Sequence, residues 1–228
     1  MSRFATLAAG IAMALALPAI ANAAPITVRD NPDNGSSVFA TGLSRTITID
    51  INGITRNIGA GVFSLQYGSN EDGWTDFLTF CLQINEFLSL PREHTRVAGT
   101  DYFPDAEDQN KIGIIYGNFM TDTTGLQNST TAAAMQAIMW EIVEDGASSF
   151  DLSDGVFELI SADVLAAANN LWAMAMSGQY LPVSFDVFAA RRTQDLLTPE
   201  VPLPGALYLL LSGMAGLGFA SRKQKRIA

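Results

Sequence analysis

The chain is poor in the residue types on which much enzyme chemistry depends, with one cysteine and one histidine among 228 residues. The single cysteine, Cys81, excludes an internal disulfide. Three alternatives remain for it: a packed inert thiol, a bridge to another molecule, or a reactive thiol. The lone histidine, His94, lies in the polar run 91–96, for which we predict an exposed loop. A Cys81–His94 nucleophile pair stays open as an alternative.

One cysteine and one histidine do not supply the usual ligands of a zinc site, so we expect no metal and no cofactor. Gly-rich phosphate-binding loops are also absent from the sequence. Because no acid–base set can be assembled around these residues, we predict that the chain is not an enzyme, apart from any autocatalytic modification of itself.

Basic residues are scarce as well, with 13 Lys and Arg against 23 Asp and Glu, which gives a net charge of −10. The excess of acidic residues lies between the chain ends. Residues 24–198 contain 8 of the basic and 22 of the acidic residues, a net charge of −14. A nucleic-acid partner is therefore not expected, because it would require a basic face.

Long apolar runs occur only at the two ends. Residues 1–23 have one early positive charge, an apolar stretch and the small-x-small pattern Ala21-Asn22-Ala23. This pattern predicts a secretory signal peptide, cut by signal peptidase between Ala23 and Ala24. The chain is therefore expected to be exported.

The last 30 residues, 199–228, have three parts in a fixed order. A proline-rich stem precedes an uncharged apolar run at 205–220, and a basic cluster follows it. Even counted from Val201, the run only just reaches the roughly 20 apolar residues that a bilayer span needs, and basic residues beside such a run mark its cytoplasmic end. The stem is Pro199, Glu200, Val201, Pro202, Leu203 and Pro204, and the cluster is Arg222, Lys223, Lys225 and Arg226.

This tripartite segment resembles the PEP-CTERM family of bacterial sorting signals, in the variant whose stem reads Val-Pro-Leu-Pro-Ala. Here Gly205 replaces the final alanine. The resemblance implies an exosortase-type membrane protease as partner and a transient stay in the inner membrane of a Gram-negative bacterium. It also implies a final place at the cell surface or in the extracellular matrix. An ordinary C-terminal membrane anchor is the alternative, although it does not explain the prolines.

Between these ends, residues 24–198 are predicted to form the folded core. The sequence predicts strands at 46–51, 54–58, 62–67 and 74–82, with a hairpin at Asn52-Gly53 and a break at 59–61. Helical spacing and caps predict helices at 105–120, 129–143 and 163–176, and alternation predicts a last strand at 183–188. We therefore expect an α+β fold, in which a small antiparallel β sandwich or barrel (24–90) packs against a helical subdomain (105–180), and residues 183–189 return to the sheet.

One pair of segments carries chemistry. Cys81 follows Phe80 at the end of a predicted strand, and Gln136 precedes Trp140 by four residues on the predicted helix at 129–143. Together they resemble the thioester domains of bacterial surface adhesins, in which an aromatic-Cys pair and a Gln-x-x-x-Trp motif are joined side chain to side chain. Met135 and Met139 stand where that family more often has other residues.

The resemblance implies that the Cys81 thiolate attacks the Gln136 amide, with loss of ammonia, to form an internal thioester. Phe80, Met135, Met139 and Trp140 would exclude water from it. The thioester could then acylate an amine- or hydroxyl-bearing surface or polysaccharide. The alternative is a non-catalytic structural or matrix protein in which Cys81 is inert or bridged to another molecule.

Overall fold

The computed structural model describes residues 25–120 and 128–200. The predicted signal peptide, its cleavage site at Ala23 and Ala24, and the sorting segment from Val201 onward lie outside the described residues. Within the described ranges, no helix is long and apolar enough to cross a membrane.

The described chain is mixed α+β, with an eight-stranded antiparallel sheet. Seven strands follow one another in the order β6-β2-β3-β1-β5-β7-β8, and β4 pairs with β3 off this path. The strands are β1 (Ile26–Asp30), β2 (Phe39–Ile51), β3 (Ile54–Ser69), β4 (Gly73–Thr79), β5 (Arg92–Ala98), β6 (Phe157–Leu159), β7 (Phe185–Ala189) and β8 (Leu196–Pro199).

The hairpin of β2 and β3 forms as the sequence predicts. Asn52 and Gly53 both have positive φ, 55° and 78°, which suits the tight turn between twisted strands. The predicted break at 59–61 is wrong, because β3 runs through it for 16 residues. Gly61, with φ of 150°, lies where the register between β2 and β3 shifts. The extra residues of this bulge, 40–43, belong to β2 and lie opposite the single residue Val62, so the glycines of β3 face a bulge in the partner strand and do not end β3.

The predicted loop at 91–96 is also wrong. These residues begin β5, which pairs with β1 on one side and β7 on the other. Three further strands come from stretches without a clear strand signal: β1, β6 and β8. Strand β6 lies inside the predicted helical subdomain and pairs with β2, so that subdomain contributes to the sheet.

The three predicted helices form close to their expected ends. They are α2 (Ala106–Phe119), α3 (Ser129–Glu144) and α4 (Ala162–Ala175), and a short helix α1 (Gly99–Tyr102) precedes them. Helix α3 packs against β2 and β3 on one side and α4 on another. Its residues from Ala132 to Ile142 are therefore buried around the whole helix, beyond the single apolar stripe that periodicity predicts.

Candidate functional site

Helix α3 fixes the position of Gln136. Asn128 caps the helix, with its side chain accepting from the backbone N–H groups of Thr130 and Thr131 at 2.9 and 3.0 Å. The Thr131 hydroxyl accepts from the Asn128 N–H in return, which completes a capping box. Gln136 lies two turns into the helix, in its fully buried part, with only 1% of its surface exposed.

Cys81 lies just beyond the end of β4, which stops at Thr79 and not at the predicted Leu82. Strand β8 holds this extension of β4. The Leu197 N–H donates to the Phe80 carbonyl at 3.1 Å, and the Leu82 N–H donates to the Asp195 carbonyl at 2.9 Å. Cys81 itself forms a β-bridge with Leu196. Strand β8 thus fixes the backbone on which the thiol is carried.

The structure brings Cys81 and Gln136 into direct contact. The Cys81 N–H donates to Gln136 Oε1 at 3.2 Å, and Gln136 Nε2 donates to the Cys81 carbonyl at 2.7 Å. The Cys81 sulfur lies 3.5 Å from the same Oε1. The side-chain amide of Gln136 therefore makes the two backbone hydrogen bonds that a neighbouring strand would otherwise make to Cys81. The Cys81 sulfur lies beside the same amide group.

The surroundings of the pair exclude water. Cys81 is 1% exposed, as is Trp140, while Phe80, Met135 and Met139 are fully buried. Burial raises the pKa of the Cys81 thiol to about 12, although the nearby Trp140 indole partly opposes this shift. The indole Nε1 has no partner that meets hydrogen-bond geometry, so its N–H stays available to a group that forms beside the sulfur. At neutral pH the thiol is protonated.

A groove of about 460 Å³ is lined by Cys81 and Trp140. Three of its lining residues carry a buried polar atom without a hydrogen-bond partner among the described residues: Arg56 Nε, Trp140 Nε1 and Gln194 Oε1. Buried polar atoms are normally satisfied, so this groove offers three polar atoms that can pair with water or with the polar group of a bound molecule. The exposed Phe87 lies at the same groove.

The structure corrects the environment of His94. It lies on β5 and is 1% exposed, whereas the sequence predicts an exposed loop. The hydrogen-bonding groups beside the Cys81 thiol within the described residues belong to Gln136 and Trp140, and His94 is not among them, so the structure does not support a Cys81–His94 pair. Cys81 is buried and unpaired, which also argues against a bridge to another molecule in the folded state.

Sequence reasoning missed a second buried titratable group, Glu141. Its Oε1 accepts from the Asp151 N–H at 2.8 Å, but its Oε2 has no partner among the described residues. The pKa of Glu141 is raised to about 7, chiefly by burial; the Asp151 N–H opposes this shift, and the nearby charges of Asp145 and Asp151 contribute to it. In the sequence, the only signal was its position directly after Trp140 in an apolar helix.

Of the predicted sorting residues, the structure describes Pro199 and Glu200. Pro199 is the exposed last residue of β8 and pairs with Phe185, a position at the end of an edge strand that proline tolerates. Glu200 is exposed directly after it. Among residues 25–120 and 128–200, no group of three His, Cys, Asp or Glu side chains is placed to hold a metal ion.

Comparison with protein-family models, with curated proteins and with solved structures finds no match to the chain.

Proposed function

We propose that the chain is an exported surface protein whose core forms an internal thioester between Cys81 and Gln136 and uses it for covalent attachment. The contact of the Cys81 sulfur with Gln136 Oε1, at 3.5 Å inside a dry pocket, carries this proposal. As part of this proposal, the sheet with α3 packed against it is interpreted as an adhesin-type thioester domain.

The chemistry balances within the pair. The sulfur attacks the amide carbon, the C–N bond breaks, and the thiol proton leaves with the amide nitrogen as ammonia. The Cys81 N–H, 3.2 Å from Oε1, stabilises the negative charge that develops on that oxygen during the attack. Since burial keeps the thiol protonated, formation is slow, but the reaction needs to occur only once in each molecule.

An amine is favoured as the group that is acylated. Among the described residues Gln194 Oε1 is a buried acceptor without a donor, and either an amine or a hydroxyl could supply one; the amine is preferred because it is the stronger nucleophile towards a thioester. Attack by the amine on the thioester carbon forms an amide at position 136 and returns the proton to the Cys81 thiol. The partner is therefore an amine-bearing surface, and a hydroxyl-bearing one such as a polysaccharide would react more slowly.

A labelled alkylamine tests this function. The mature protein should incorporate it at residue 136, and Cys81→Ala should abolish the incorporation while leaving the fold and export unchanged. Gln194→Leu should slow the incorporation without preventing thioester formation. Equal labelling of the wild type and Cys81→Ala would refute the proposal.

The chain ends support a route to the cell surface. We infer export with cleavage before Ala24, then exosortase-type processing at the stem beginning at Pro199, with the basic tail held on the cytoplasmic side of the inner membrane. N-terminal sequencing of exported protein should start at Ala24. Deletion of residues 222–226 should impair processing, and unchanged processing would show that the tail is not a stop signal.

A structural or matrix protein without the thioester is the second candidate. It is favoured by the complete pairing of the Gln136 amide with the backbone of Cys81, which satisfies the amide without any covalent bond. In that case Gln136 serves to anchor the extension of β4 to α3.

A further inference from the structure

A second, separate cavity lies where β5 begins and where the chain leaves β7. It is open, has a volume of about 750 Å³, and is lined by both strands and the turn that follows β7. Its charged or titratable lining residues are Arg92, Glu93, His94, Arg191, Arg192 and Asp195.

The arginines of this cavity are exceptional within the chain. Of the eight basic residues in the core, five have side-chain partners: Arg29, Arg45, Arg56, Arg96 and Lys111. The side chains of the other three, Arg92, Arg191 and Arg192, have no hydrogen-bond or ion-pair partner among the described residues. In a core with a net charge of −14, such partners are abundant, yet the three unpaired arginines line one cavity.

Two buried polar atoms of the cavity lining also lack partners, Arg92 Nε and His94 Nε2. His94 is 1% exposed, and its Nδ1 lies 3.1 Å from the Arg92 carbonyl. Because a carbonyl only accepts, Nδ1 carries the proton, and Nε2 of the neutral ring is an acceptor. Among the described residues, the cavity therefore presents a buried unpaired N–H on Arg92 beside a buried unpaired acceptor on His94, together with the exposed guanidinium groups of Arg191 and Arg192.

The two carboxylates limit what can bind. Asp195 is already saturated by Tyr102 Oη, Gln83 Nε2 and the Ala190 N–H at 2.7, 2.8 and 2.8 Å, so it does not pair with the arginines. Glu93 is exposed and repels densely charged anions. A singly charged carboxylate fits this balance better than a phosphate or a cluster of sulfates.

We propose that this cavity binds a sugar acid, with its carboxylate held by Arg92, Arg191 and Arg192 and a neighbouring hydroxyl donating to His94 Nε2. The uronate unit at the non-reducing end of a 1,4-linked chain carries its carboxylate and a free hydroxyl on adjacent ring carbons, C5 and C4, and one such unit occupies a small part of the volume. The site is independent of Cys81, so the protein binds an acidic polysaccharide whether or not its thioester forms.

Calorimetric titration of the mature protein with trigalacturonate tests the site, and its methyl ester serves as the uncharged control ligand. We expect saturable binding of the acid and at least tenfold weaker binding of the ester. Arg92→Gln and His94→Phe should each weaken binding at least fivefold, and Glu93→Gln should strengthen it. Cys81→Ala should leave binding unchanged.

The matched control is Arg29→Gln, which removes an arginine that pairs with Gln66 and stacks on Trp74 away from the cavity. It should bind trigalacturonate as the wild type does. Thermal unfolding of each variant checks that the fold is kept, and the folded Arg191→Gln variant replaces any that unfolds. No saturable binding, equal binding of acid and ester, or full competition by equimolar sulfate would overturn the proposal.

Discussion

Gln136 hydrogen-bonds both backbone polar groups of Cys81, the residue whose thiol lies against the same amide. The amide thus has two roles that are separable by experiment. As a hydrogen-bonding group, the amide pairs with the backbone N–H and carbonyl of Cys81, just beyond the end of β4. As an electrophile, it lies beside the Cys81 sulfur that would attack it.

The structural role is measured best where no thioester can form. In a Cys81→Ala background, adding Gln136→Ala leaves one buried N–H and one buried carbonyl without partners. Each such group costs about 1–3 kcal/mol, so we expect the free energy of unfolding to fall by about 2–6 kcal/mol. Urea unfolding of the two variants gives this difference. A loss below about 1 kcal/mol would mean that water or other groups replace the amide.

The reactivity of the thiol should depend on folding. After methylamine has opened the thioester, the released Cys81 thiol should react with iodoacetamide about a thousandfold more slowly in the folded protein than in urea at the same pH. The reason is that burial raises the pKa of Cys81 to about 12, from its ordinary value of 9.0, and only the thiolate reacts. Similar rates in both states would show that the pocket is open to solvent.

Glu141 should make stability depend on pH. Its pKa lies above the ordinary value of 4.5, at about 7, so between these pH values the folded chain binds a proton that the unfolded chain has lost. Stability should therefore fall as pH rises from about 4.5 to 7, by about 1–3 kcal/mol from this residue alone.

Glu141→Gln isolates this contribution, because its amide oxygen can still accept from the Asp151 N–H. The difference in free energy of unfolding between this variant and the wild type should grow in the variant's favour as pH rises. Glu71→Gln, at an exposed turn, is the control and should show no such trend. A difference that is constant across the window would refute the pKa shift.

The bulge between β2 and β3 should tolerate only glycine. A Cβ on Gly61 would lie 2.2 Å from the Leu43 carbonyl oxygen, and its φ of 150° is one that other residues rarely adopt. Gly61→Ala should lower the free energy of unfolding by at least about 2 kcal/mol. Gly35→Ala also has positive φ but meets no atom within 4 Å, so thermal unfolding should show a loss of only about 1 kcal/mol.

The sequence predicted α3 and the position of Gln136 because local signals agree there: a polar cap, three alanines and an apolar stripe. It did not predict β5, since Arg-Glu-His-Thr-Arg has no apolar alternation. That strand exists because β1 and β7, distant along the chain, offer backbone partners on both sides.

The same reason explains His94 and the second cavity. Whether a histidine in a polar run is buried depends on the strands that lie beside it. Those strands come from distant parts of the chain, so the local sequence does not predict them. For the Gly59-Ala60-Gly61 segment the error was the opposite one, because a strand was missed where a break was predicted. The glycines locally favour a break, but hydrogen bonds to β2 keep the segment in β3.

The central claim is tested most directly by the intact mass of the exported, mature protein, measured beside Cys81→Ala under non-nucleophilic conditions. The account predicts that the wild type is lighter than its sequence by one ammonia, that methylamine adds one equivalent to it, and that Cys81→Ala has its full sequence mass and adds none. A wild type at full sequence mass, with one thiol that can be titrated after unfolding, would contradict the account.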